Sequence, residues 1–218
     1  MANRFYLACL RETVGSNMSF HCQNGLGYSS NIDKAQVYTL EEAQRGWEFG
    51  RDIDLPISAD AIDAATVWHV DHQYIPGQNI ITPGCNEYVA FMKGRWNGND
   101  VYWLSDMMPT DDFSKARVFA HPKESESGLV WIPFATADSK KRRTFNINQL
   151  NRRTMIQGAG LRMPAWLKRQ QRRKVSAGKK RWNCPCCGKI SWQYNPYDFD
   201  GCRDWKCADY KPSCEAKL

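Results

Sequence analysis

Six of the chain's nine cysteines fall in one stretch, KKRWNCPCCGKISWQYNPYDFDGCRDWKCADYKPSC, which runs from Lys179 to Cys214. Four of them, Cys184, Cys187, Cys202 and Cys207, follow the spacing C-x2-C-x14-C-x4-C. A C-x2-C pair lets two thiolates converge on one ion, and Gly188 admits the tight turn that points backbone N–H groups at the sulfurs. Four thiolates suit zinc held in a closed tetrahedron, which is a structural site and not a catalytic one. Disulfide scaffolds are short chains with cysteines throughout, whereas here only Cys9, Cys22 and Cys85 lie outside the cluster. A redox C-x-x-C needs a βαβ setting, and a basic helical segment precedes this one. Two further thiols compete for a place in the set. Cys186, between two ligands, is expected to point away, and Cys214 can take the place of Cys207.

The surroundings of the cysteines are aromatic and basic. Trp182, Trp192, Tyr194, Tyr197, Phe199, Trp205 and Tyr210 are more rings than a small hairpin buries. Beside Lys189, Arg203 and Lys206, the exposed ones form a surface on which unpaired bases stack. The same composition also suits a protein interface.

Charge is unevenly spread along the chain, whose formal net charge is +7. Residues 1 to 138 hold 10 Lys+Arg against 18 Asp+Glu, residues 139 to 197 hold 16 against none, and residues 198 to 218 hold 4 against 5. A segment of that length without a carboxylate is suited to a polyanion. Lys168, Arg169, Arg172, Arg173, Lys179, Lys180 and Arg181, with Lys189, Trp192, Tyr194, Arg203 and Trp205, are the candidate nucleic-acid contacts. Lys168/Arg172 and Arg169/Arg173 are i,i+4 like-charge pairs, so their helix settles best against phosphates.

The elements that must carry these groups are partly readable. Tyr6–Thr39 aligns with Tyr88–Ala120, pairing Tyr6 with Tyr88, Ala8 with Ala90, Arg11 with Lys93, Lys34-Ala35 with Lys115-Ala116, and Val37-Tyr38 with Val118-Phe119. Each copy reads as a β-hairpin with a Gly/Asn turn, then a third strand at Lys-Ala-x-Val-aromatic. Thr39 with Glu42 makes a capping box for a helix from about Leu40 to Phe49, and Pro122 removes its counterpart in the second copy. A short helix capped by Ser58 and a strand from Thr66 to Ile75 follow the first copy. Helix-like pieces at about 147 to 157 and 164 to 175 are separated by Gly158-Ala159-Gly160, with Pro164 opening the second and Gly178 ending it. The expected fold is α+β. It comprises a pseudo-duplicated, antiparallel β-rich domain over residues 1 to 137 (repeats about 5–49 and 87–121), a basic helical arm over 138 to 181, and a zinc ribbon over 182 to 218. No signal-peptide core or membrane span is expected, so the chain reads as cytoplasmic.

"CPCCG" and the spacing of the four cysteines resemble a zinc ribbon. "FDGCRDWKC", Phe199 to Cys207, is similar to the second half of the ribbons at the ends of type IA topoisomerases. It departs from them in Lys206, which stands where they have proline, and in one residue fewer before the last cysteine. The closing C-x4-C is similar to that of the Ogr/Delta-type phage transcription activators. The repeated Asp-x-x-Lys-Ala-x-Val-aromatic pattern resembles small modules of bacteriophage and bacterial proteins, which implies a phage-type accessory protein.

Catalytic signals are few. His69 and His72 in "HVDH" point to opposite faces of a strand, which favours satisfied or exposed histidines. Asp52/Asp54 and Asp111/Asp112 are carboxylate pairs of the kind that hold magnesium, though in an acidic domain they read as solvated turn residues. The expectation is a non-enzymatic zinc protein that binds nucleic acid, single-stranded by its aromatic content, or an enzyme that works on it. It would regulate or inhibit a host nucleic-acid machine or defence complex. The alternative is a metal-dependent nuclease or other hydrolase in the acidic domain.

Overall fold

The computed structural model describes residues 4–123, 128–176 (173–176 by backbone alone), 178–195 and 197–211. The chain divides into two compact units, Met1–Met163 and Pro164–Leu218. The first holds β1 (Phe5–Val14), β2 (Asn17–His21), β3 (Tyr28–Ser29), α1 (Leu40–Phe49), β4 (Asp54–Ser58), α2 (Ala59–Ala64) and β5 (Val67–Val70). It continues with β6 (Tyr88–Asn97), β7 (Asp100–Trp103), β8 (Leu129–Pro133), α3 (Phe134–Asp138) and β9 (Lys141–Thr144). The second unit holds α4 (Ala165–Ser176), β10 (Lys180–Asn183) and β11 (Ile190–Gln193). No helix among the described residues is long and apolar enough to cross a membrane.

The fold is α+β with antiparallel sheets in the orders β3-β2-β1-β4, β7-β6-β8, β5-β9 and β10-β11. Local chemistry sets its helices. Thr39 Oγ1 accepts from Glu42 N at 3.2 Å while Glu42 Oε2 accepts from Thr39 N at 2.8 Å, so the capping box closes and α1 buries Ala43 and Trp47. Ser58 caps α2 through Ala61 N.

The strand registers of the two halves of this unit run in parallel. β1 pairs with β4 from Phe5↔Ser58 to Cys9↔Asp54, and β6 pairs with β8 from Tyr88↔Pro133 to Met92↔Leu129. Phe5 exchanges two backbone hydrogen bonds with Tyr38, and Tyr88 does the same with Phe119. The positions corresponding to Tyr88 and Val89 are therefore Phe5 and Tyr6, one residue away from the pairing of Tyr6 with Tyr88 that residue identity suggests. The segments expected as third strands are held only by isolated bridges, Phe5↔Tyr38, Cys22↔Ala35 and Tyr88↔Phe119.

The halves interlock. β5 and β9 pair antiparallel around Trp68↔Arg143, and each then runs on to the other half's hairpin, with bridges Asp71↔Asp100 and Asn17↔Asn146. The hairpin turns meet at Gly15 (φ 60°) and Gly98 (φ 63°), where a Cβ on either would overlap the other's backbone. Around this contact lies a buried polar knot. Asp100, fully buried, accepts from Asn17 Nδ2 at 2.6 Å, and its Oδ2 lies 3.0 Å from His69 Nδ1. Its Oδ1 is 2.7 Å from Arg142 Nη1, an ion pair that is not aligned as a hydrogen bond. Thr144 Oγ1 completes the set at 2.9 Å from His69 Nδ1.

Two expectations change here. Residues 138 to 163 belong to the first unit and not to a linker, because β9 is a strand whose Arg142 answers a buried carboxylate. Their basic residues also offset the acidic ones: the first unit has 17 Lys+Arg against 18 Asp+Glu, and the second 13 against 5. Of the two helix-like pieces, 147 to 157 forms a 3-10 turn at Ile147–Gln149 and one π-helical stretch at Arg153–Gln157, whereas α4 matches the second.

Gly15→Ala and Gly98→Ala should each lower the unfolding free energy by about 3 kcal/mol in urea titrations, since both overlap and positive φ are imposed. Gly25→Ala has the same sign of φ with no atom within 4 Å of its new Cβ, and should cost only about 1 kcal/mol. Asp54 gives a pH test. Burial pushes its carboxyl up, but hydrogen bonds from Arg51 and His21 outweigh this and hold it below the ordinary range. A depressed carboxyl stabilises above its unfolded pKa and loses that contribution as pH falls through the folded value. The stability difference between wild type and Asp54→Asn should therefore be full at neutral pH and shrink below pH about 4.

Candidate metal centre and nucleic-acid interface

The second unit is built around its sulfurs. The turn after β10 carries Cys184 and Cys187: Gly188 N donates to Cys184 O at 2.8 Å, Cys184 N donates to Lys189 O at 2.9 Å, and Gly188 takes φ 69°. A second turn carries Cys202 and Cys207, closed by Cys207 N to Asp204 O at 2.9 Å and Lys211 N to Cys202 O at 2.9 Å. The four sulfurs all lie within 4.8 Å of one another. Each short pair spans the two turns, Cys184 to Cys207 at 3.6 Å and Cys187 to Cys202 at 3.5 Å. A zinc–sulfur bond of about 2.3 Å implies tetrahedral edges of about 3.8 Å, so this group fits a single ion with no rearrangement of the chain. Cys184, Cys202 and Cys207 are buried with Phe199 against them, and little else forms a core. Cys186 lies outside the four but does not point clear of them: its sulfur is within 4.8 Å of Cys207 and of an Asp209 oxygen. Cys214 falls outside the described residues.

Backbone donors tune the thiols. Burial pushes Cys184 up, yet N–H groups of Cys187 and Cys186 outweigh it and its pKa falls below the ordinary range. At Cys207 the N–H of Asp209 favours the thiolate, but burial and the neighbouring thiols drive the pKa well above it. Cys202, with Asp204 N 3.4 Å from its sulfur, also ends up raised by burial and its neighbours. A cation is the natural counterweight to four such groups at this spacing.

A two-stranded hairpin carries the first cysteine pair. Its strands flank the first cysteine pair, β10 before and β11 after, so that pair forms its turn and does not open a hairpin between the two pairs. After β11 the chain returns by a loop that Gln193 holds, donating to Asp198 O at 2.6 Å and accepting from Asp200 N at 3.0 Å. Register then sorts the side chains. Trp182, Ser191 and Gln193 turn inward, Trp182 against Phe199 with ring centroids 6.4 Å apart. Arg181 faces Trp192, and Asn183 faces Ile190, on the exposed side. Tyr194 continues that side with Lys179 Nζ 5.1 Å from its ring centroid.

Of the candidate contacts, Lys179, Arg181, Trp192 and Tyr194 thus share one hairpin face. Trp205 is exposed on the second cysteine turn under Lys206, 5.0 Å from its ring centroid. Lys189 is paired with Asp204, and Arg203 Nη1 donates to Lys211 O at 2.7 Å, so both brace the turns. Lys168, Arg169 and Arg172 are exposed on α4, Lys180 is exposed on β10, and the side chain of Arg173 falls outside the described residues. Gln193, Asp204 and Asp209 escaped sequence reasoning, since nothing in their local pattern distinguishes a brace from a solvated polar residue.

In the first unit the suspected catalytic groups are engaged. Asp54 is bound by Arg51 and His21, and Asp112 caps a 3-10 turn through Ser114 N and pairs with Lys115 at 3.1 Å. Asp111 accepts from Asn97 Nδ2 at 2.9 Å. His69 is buried in the polar knot, and His72 stacks on Trp96 at 4.2 Å. Among the described residues, the groups of His, Cys, Asp and Glu close enough for a metal all contain the cysteines.

No protein-family model matches the chain, and no curated protein or solved structure shows significant similarity to it.

Metal analysis should give one zinc per chain, lost in Cys184→Ser and Cys202→Ser but kept in Cys186→Ser and Cys214→Ser. A bound zinc would contribute on the order of 10 kcal/mol to folding a module with so small a core. Chelation should therefore abolish the near-UV signal of Trp182 and Trp192 before the first unit melts.

Proposed function

We propose that the protein is a non-enzymatic, zinc-dependent binder of single-stranded nucleic acid, with its second unit, a zinc ribbon preceded by a basic helix, as the contact surface. The observation that carries this reading is the hairpin face of Lys179, Arg181, Ile190, Trp192 and Tyr194, where cations and exposed rings alternate. Trp192 is 52% and Tyr194 66% exposed, a poor arrangement for rings unless something stacks on them. Base stacking supplies about 1–3 kcal/mol per ring and tolerates any sequence, while the excess of cations in this unit tracks the phosphates. Thiolates kept for a metal fit a reducing cytoplasm. A role as a phage-type regulator of a host machine rests on the sequence pattern alone, and the engaged carboxylates of the first unit give the hydrolase reading no support.

We also infer that residues 5–75 and 88–149 of the first unit are two copies of one unit. The matched registers of β1/β4 and β6/β8, the matched Phe5–Tyr38 and Tyr88–Phe119 bonds, and the β5/β9 pairing centred on Trp68 and Arg143 support it.

Fluorescence polarisation with single-stranded DNA and RNA tests the binding reading. Affinity should fall steeply with salt, and Trp192→Ala or Tyr194→Ala should weaken it by about 5- to 100-fold at unchanged salt slope. Lys179→Ala and Arg181→Ala should each flatten the slope by about 0.7. Absence of binding at low ionic strength by the zinc-loaded protein sinks the reading. A protein captured from nuclease-treated lysate through the same face would replace it with a protein interface.

A further inference from the structure

Within the first unit, the start of β9 and the 3-10 turn at Ile32–Lys34 border a polar pocket of about 320 Å³. This is within the range of small-molecule sites, roughly 300–1,000 Å³, and at the size of one small polar ligand. Its charged lining is four cations, Lys34, Lys140, Lys141 and Arg142, against the single carboxylate of Asp71. Two of the cations are already held: Lys141 by Asp138 at 2.6 Å, and Arg142 by the buried Asp100. Lys34 and Lys140 have no ion pair among the described residues. The side chain of Arg142 is only 12% exposed, and its Nη1, 2.7 Å from Asp100 Oδ1, is buried without an aligned hydrogen bond. Arg142 already answers Asp100, whereas Lys34 and Lys140, which line the same pocket, leave it with positive charge that an anion can meet.

Within this set the fold itself calls for Arg142, which answers the buried Asp100, and Lys34 is matched by Lys115 in the second half. By the register of β5 with β9, the positions in the first half that correspond to Ser139-Lys140-Lys141-Arg142 are Ala64-Ala65-Thr66-Val67. Lys140 and Lys141 are therefore the lining cations that occur in one half only. The pocket also has an aromatic rim. Tyr74, 65% exposed, lines it, and the corresponding position after β9 is Gln149. Ser30, Asn31 and Asn99 add hydroxyl and amide groups to the lining.

We propose that this pocket binds a 5′-phosphorylated nucleoside, with its phosphate between Lys34, Lys140 and Arg142 and its base against Tyr74. The ligand is a free nucleotide or the 5′ end of a strand, which present the same chemistry. The site is distinct from the ribbon face and stands or falls separately from it.

Isothermal titration of the full-length, zinc-loaded protein with AMP tests it, with adenosine and inorganic phosphate as comparators. AMP should bind about 10-fold or more tightly than either, and Lys34→Ala/Lys140→Ala or Tyr74→Ala should each weaken AMP by about 10-fold with unchanged circular dichroism. Lys168→Ala/Arg169→Ala on α4 should leave AMP affinity intact. A 5′-phosphorylated trinucleotide that outcompetes AMP, and loses that advantage in Lys34→Ala/Lys140→Ala, assigns the site to strand ends; AMP alone responding assigns it to the free nucleotide. The proposal is overturned if AMP gives no binding at millimolar concentration, if inorganic phosphate binds as well as AMP, or if the α4 variant abolishes binding and the pocket variants do not.

Discussion

A carboxylate shut away from water has to be matched by its surroundings, and in the first unit that demand falls on Asp100. The partners come from Asn17 on β2, His69 on β5 and Arg142 on β9, three strands that are far apart along the chain. They reach it only because the hairpin turns touch at Gly15 and Gly98, where any side chain would hold the halves apart. Much of the unit's architecture follows from this knot. It draws β5 and β9 into one ladder between the hairpins and fixes where the Lys140–Arg142 run emerges beside the 3-10 turn of the first half. A basic stretch that reads as an arm is thereby spent partly on internal neutralisation and partly on a pocket wall.

The second unit obeys a different constraint. With three buried cysteines and Phe199 as almost all of its interior, the convergence of sulfurs replaces a hydrophobic core. The inward face of the hairpin is taken up by the knuckles and the Gln193 loop, which leaves the opposite face free to carry Arg181, Trp192 and Tyr194. Cysteine cluster and aromatic surface are thus linked: the convergence of the four sulfurs sets the hairpin's geometry, and the hairpin spaces the rings.

What the sequence made legible was local. The Thr39–Glu42 box, the Ser58 cap, the Pro164 start of α4 and the cysteine spacing each involve residues a few positions apart, and each appears where expected. The proposed repeat was read through Lys34-Ala35 and Lys115-Ala116, where identity drew Tyr6 onto Tyr88 while matching strand pairings set Phe5 there. β4 was missed because Pro56 interrupts it, which its place at a sheet edge tolerates. β9 was missed because Lys-Arg-Arg-Thr reads as a solvated basic run, and only the buried carboxylate on another strand reveals why it is a strand. The side on which the cysteine-bearing hairpin lies was equally hidden, since cysteine spacing marks the four sulfurs that gather but not which flanking segment pairs with β11.

The exchange of β5 and β9 between the halves carries a consequence for assembly of the chain. During synthesis the first hairpin appears early, but the segment that bridges it through Asn146 comes late in the unit, after both hairpins, so this pairing waits until most of the unit has emerged.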